Sequence, residues 1–107
     1  MKDTAKVFIS QRMFGRTDED ILAERERAQT AICNAFPDTE ITFIDTFSHD
    51  GIPKDAGRLV HLGKSIQQLD EADFVYFCPG WESANGCRIE KKVCTLYGIP
   101  YFFEDEL

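Results

Sequence analysis

The segment with most capacity for chemistry is Cys78-Pro79-Gly80-Trp81-Glu82-Ser83-Ala84-Asn85-Gly86-Cys87-Arg88-Ile89-Glu90, which leads from an apolar run into a helical pattern. On a helical wheel Ile89, Val93, Leu96 and Tyr97 make the core stripe, and Glu90 lies about 100° from Ile89 on its flank. Gly86, one turn earlier, leaves space for a ligand to approach. A helix N-terminus favours the ionised carboxylate, which is the form a nucleophile requires. The same spacing also fits a solvated glutamate paired with a neighbouring lysine. Trp81, the single tryptophan, either stacks on a base or sugar or packs against its own loop.

Ser10, Arg12, Gly15 and Arg16 form a donor-rich loop ahead of a helix start. Such a loop suits an anion such as phosphate, although loop arginines are also commonly just solvated. Asp45, at the end of a strand-like run, either binds ribose hydroxyls or shapes a turn. Gly63-Lys64-Ser65 is not a phosphate loop, because the glycine needed five residues earlier is Arg58 and the tripeptide falls inside a helical pattern. Cys33, Cys78, Cys87 and Cys94 include no C-x-x-C pair, and with only His49 and His61 beside them no zinc site is implied. Reduced, buried thiols are the expected state, with Cys87 the one whose position near a helix start would suit a nucleophile.

These residues must be carried by one domain, residues 1–107, long enough to bury a core without disulfides or metals. A net charge of −7 argues against a nucleic-acid partner, since that binding neutralises phosphates with basic side chains. The apolar runs are too short for a bilayer, and no basic segment leads into an apolar stretch at the start, so a cytoplasmic chain is expected.

Along the chain, Lys6-Val7-Phe8-Ile9-Ser10 reads as a buried strand. Thr17 caps a helix running to about Ala35, with Ile21, Ala28, Ile32 and Ala35 on its apolar face. Residues 40–45 form a second strand, and 46–57 a long loop of the kind that often binds ligands. Leu59, Leu62, Ile66 and Leu69 mark a second helix. Residues 73–78 read as a central strand, 83–98 as a third helix and 100–103 as a last strand. The alternation predicts a single Rossmann-like, flavodoxin-like α/β domain: a parallel sheet of about four strands in order 2-1-3-4, with helices on both faces. Ligands in such folds bind at the C-terminal strand ends by the switch between strands 1 and 3, which nominates residues 10–16 and 79–86.

Three stretches carry a resemblance: K-V-F-I-S-Q-x-M-x-G-R from Lys6, E-A-D-F-V-Y-F from Glu71, and P-G-W-E-x-A-x-G-C-R-I-E-(x)6-Y-G-I-P from Pro79. Together they resemble small phage and bacterial domains of the nucleoside 2-deoxyribosyltransferase-like superfamily, related to 2'-deoxynucleoside 5'-phosphate N-hydrolases. The likeness runs from Lys6 to Pro100. It implies that Glu90 attacks C1' of a deoxyribose to form a glycosyl-enzyme ester, which a second base or water resolves. It also implies that residues 10–16, with Ser10, Gln11 and Arg12, hold the 5' end of a nucleoside or nucleotide, and that a homo-oligomer completes the pocket. No cofactor is implied. Where those enzymes carry an aspartate beside the leaving base, this chain has Ser65, whose hydroxyl is a far weaker acid, with His61 one turn earlier. Arg88 and Lys92 replace glycines flanking the glutamate, and Arg12 replaces a proline.

Two functions are therefore expected to compete. One is an enzyme acting at an N-glycosidic bond, with Glu90 as nucleophile and Ser10, Gln11, Arg12, Asp45, Ser65, Gly80, Trp81 and Gly86 contacting substrate. The other is a module that binds a nucleotide metabolite without altering it, which Ser65 favours. A purely structural or protein-interaction role is the remaining alternative.

Overall fold

The computed structural model describes residues 4–47, 52 and 55–107. Half of the loop read over 46–57 thus lies outside the described residues.

Four strands and three helices alternate: β1 Thr4–Ser10, α1 Asp18–Ala35, β2 Glu40–Phe43, α2 Arg58–Leu69, β3 Phe74–Phe77, α3 Asn85–Tyr97 and β4 Tyr101–Phe103. The sheet is wholly parallel in the order β2-β1-β3-β4, as the alternation predicts. β1 and β3 are its central pair, and every residue of Phe-Val-Tyr-Phe in β3 is buried, which explains its unbroken apolar run.

Strand alternation divides the core in two. Val7 and Ile9 face α1 together with Phe74, Tyr76 and Cys78, and meet Ala28 and Ile32. Phe8 faces the opposite side with Val75 and Phe77, against Leu69 of α2 and Cys94 of α3. Each face of the sheet is therefore covered by a helical layer.

The helix ends follow local chemistry. Thr17 is the N-cap of α1, its hydroxyl accepting the Asp20 N–H at 3.1 Å, and Asp18, Glu19 and Asp20 place negative charge where the first-turn amides favour it. Thr17→Ala is expected to cost about 1 kcal/mol and to lower the melting temperature by roughly 5 °C, measured by calorimetry. α3 ends at Gly98, whose φ of 71° is the left-handed conformation that closes a helix.

Two helix faces differ from expectation. On α3 the inward residues are Cys87, Glu90 and Cys94, whereas Leu96 and Tyr97 are 67% and 79% exposed and Ile89 is also exposed. Cys94 packs with Phe8, Val75 and Phe77, and the largest apolar groups of α3 are left outside. On α1, Arg25 is buried in the stripe that Ile21, Ala28 and Ile32 define, while Ala35 is exposed.

Candidate functional site

The switch point opens into a cleft of about 1150 Å³ between α2 and α3, floored by the C-terminal end of β1. That is room for a nucleotide-sized ligand. Phe8, Ser10 and Arg12 line it from β1 and its loop, His61, Leu62, Ser65 and Gln68 from α2, and Gly86, Cys87 and Glu90 from α3.

Ser10 has the parity of Phe8, so its side chain faces α3 rather than α1. There its hydroxyl donates to Glu90 Oε1 at 2.7 Å, joining β1 to α3 across 80 residues of chain. Ser10 is 1% and Glu90 7% exposed. Burial pushes the Glu90 carboxyl up to about 7, and the Ser10 hydrogen bond pulls the other way without overcoming it. The expected ionising effect of the helix start is thus overridden. Glu90 is the sixth residue of α3, past the first turn where that effect acts. A carboxyl near 7 exists in both forms at neutral pH, which suits a group that must carry or accept charge during a reaction.

Cys87 faces the same hydroxyl. Burial pushes its thiol up to about 11, with Ser10 and Arg12 pulling it down and Glu90 pushing it up. It is therefore a neutral wall of the cleft at physiological pH and no nucleophile. Cys78 lies on the α1 side of the sheet, where burial raises its thiol to about 12.

Other sequence-nominated residues separate into those that line the cleft and those that do not. Ser65, Gly86, Arg12 and His61 do. A Cβ at Gly86 would meet only Leu62 Cδ1 at 3.8 Å, an ordinary contact, so the space beside it belongs to the cleft.

Gln11 also borders the cleft, but with the opposite parity to Ser10 its amide nitrogen is spent under α1, donating to Ile21 O at 2.9 Å and Glu24 Oε1 at 3.2 Å. Arg16 is likewise engaged with Glu24 at 2.8 Å and with Arg12 O at 2.9 Å, where it holds the loop instead of a ligand. Trp81 does not line the cleft. It stacks on Phe103 with ring centres 5.2 Å apart and planes 18° from parallel, beside Phe77, because β4 offers it an aromatic partner.

Gly80 is also outside the lining, but its φ of 87° and its closeness to Arg12 give it a part in the loop. A Cβ there would lie 3.4 Å from Arg12 Nε. Asp45 accepts from Phe47 N at 3.1 Å and contributes to the field around Arg25, and it is Thr46 that reaches the cleft.

Arg25 escaped the sequence reading. Its guanidinium donates to Thr46 Oγ1 at 3.0 Å and Ile44 O at 2.6 Å, tying the end of β2 to α1 and setting the cleft edge. Its place four residues after Ile21 and three before Ala28 is the signal that would have found it.

No family model matches the chain, and no match is found among curated proteins or solved structures. No helix among the described residues is long and apolar enough to cross a membrane.

Proposed function

We propose that this protein acts at the N-glycosidic bond of a deoxynucleoside or deoxynucleotide, with Glu90 as the nucleophile. The observation that carries the reading is the buried Glu90–Ser10 pair at the floor of a cleft large enough for a nucleotide. The ionised carboxylate attacks C1' as the C1'–N bond breaks, and the bonding electrons leave with the base. Ser10 orients the carboxylate toward the developing positive charge on the sugar. Water, or a second base, then cleaves the glycosyl ester and returns the carboxylate. The departing base takes a proton, and we assign its donation to His61, which lines the cleft from the facing helix. Arg12 serves the 5' end. Overnight incubation with deoxynucleosides and deoxynucleotides, followed by chromatography, is expected to show free base with the wild type and none with Glu90→Gln.

Glu90 is the sole carboxylate among the described residues lining the cleft, and Ser65 stands where the resembled enzymes have an acid. That observation favours a second reading, a nucleotide-binding module without turnover. Its mark would be a ligand that raises the melting temperature and is recovered intact.

A homo-oligomer belongs to the same proposal. Leu96 and Tyr97, exposed on one side of α3 with Ile89, form an apolar strip that a second copy would cover. Leu96→Glu is expected to convert an oligomer to monomer in analytical ultracentrifugation. A wild-type chain that already sediments as a monomer would contradict it.

A further inference from the structure

Charge around the cleft runs against that of the whole chain. The sequence has 19 acidic and 12 basic residues, yet Arg12, Arg58, Lys64, Arg88 and Lys92 all line the cleft, with Glu90 as the one carboxylate among its described lining residues. These cations come from three separate elements. Arg12 follows β1, Arg58 and Lys64 stand on α2, and Arg88 and Lys92 on the wall of α3. Their convergence therefore results from the fold and not from one basic run. Among the described residues Arg12, Arg88 and Lys92 have no carboxylate within ion-pairing distance. Arg58 lies over the Phe14 ring at 5.4 Å, at the mouth.

A nucleoside gives these groups nothing to neutralise, and a monophosphate, with at most two negative charges, engages only part of them. Arg88 and Lys92, four residues apart, are neighbours one turn apart on α3. They put two cations side by side on one wall, with Arg12 and the α2 cations on the other elements that line the cleft. Leaving Arg12, Arg88 and Lys92 without a carboxylate among the described residues carries a like-charge cost that a polyanion relieves.

Resting on the glycosidic reading of the same site, we infer that the cleft takes a nucleotide bearing a di- or triphosphate, whose phosphate chain lies along the α2–α3 rim while Glu90 and Ser10 meet the sugar.

The test is calorimetric titration of the purified protein with the four common 2'-deoxynucleosides, their 5'-mono-, di- and triphosphates, and inorganic tripolyphosphate, at low and high salt. Affinity is expected to rise about tenfold for each phosphate added, and to fall with salt most steeply for the triphosphate. Arg88→Gln with Lys92→Gln keeps the fold and is expected to lose the gain beyond the monophosphate by about tenfold or more, leaving nucleoside binding as it was. Equal affinity for mono- and triphosphate overturns the inference, as does tripolyphosphate binding as tightly as the nucleoside triphosphate. Base release from plain nucleosides with no gain from phosphates would remove this inference and leave the glycosidic reading standing. A phosphate-dependent gain with every nucleotide recovered intact would do the reverse. No binding across the series would remove both.

Discussion

Glu90→Gln should make the protein more stable at pH 8 and inactive. In the folded chain the Glu90 carboxyl is held near 7 by burial, against about 4.5 for an unburied carboxyl. Between those values the folded state binds more protons than the unfolded one, so its stability falls as pH rises. The contribution is fully present below pH 4.5 and gone once pH has passed about 7. The difference corresponds to about 3 kcal/mol as an upper order of magnitude. A glutamine at position 90 carries no charge to bury and can still accept the Ser10 hydrogen bond. At pH 8 the variant is expected to melt roughly 10 °C higher than the wild type, and at pH 4 the two should nearly coincide. Thermal melts across pH measure this directly. An equal or lower melting temperature at pH 8 would mean that Glu90 does not carry a buried charge there. Gain of stability together with loss of turnover is the pattern expected of a group held in an unfavourable state for chemistry.

Ser10→Ala acts on the same pair from the other side. Ser10 supplies the one downward pull on the Glu90 carboxyl, so its removal moves that carboxyl above 7. A hydrogen bond to a charged group is worth about 1.5–3 kcal/mol, or about one to two pH units. If the ionised carboxylate is the nucleophile, the rate rises with pH through the Glu90 midpoint. The Ser10→Ala midpoint should lie about one unit or more to the alkaline side. Turnover at pH 7 is expected to drop about tenfold and to recover largely by pH 9. A general loss of structure would lower the rate at every pH without displacing the midpoint. The pH–rate profile therefore separates the two explanations.

The architecture was legible because hydrophobic period and the punctuation by Pro37, Gly57, Pro79 and Gly98 agree along the whole chain. Ser10, in one switch-point loop, and Glu90, on the helix that follows the other, stand out in the sequence as candidates. Their contact does not, since it depends on how α3 is rotated over β3. That rotation was misread: hydropathy ranks Ile89, Leu96 and Tyr97 above Cys87, Glu90 and Cys94, but it is the second set that α3 turns inward, Cys94 against Val75 and Phe77. Gln11 could have been separated from Ser10 by parity alone, because adjacent residues leaving a strand point to opposite faces. Trp81 could not have been placed, since its partner Phe103 meets it only through the pairing of β3 with β4. The gathering of cations also escapes a linear reading. Arg12, Arg58 and Arg88 lie far apart in sequence and meet only across the cleft.

The central claim is that Glu90 becomes covalently bonded to C1' of the sugar. Rapid-quench intact-mass spectrometry with a 2'-deoxynucleotide tests it most directly. The prediction is a transient mass increase equal to the deoxyribosyl phosphate moiety of the probe, mapped to the peptide containing Glu90 and absent in Glu90→Gln, with free base released in step. Base release that persists in Glu90→Gln, or intact nucleotide with no adduct at any time, would contradict it.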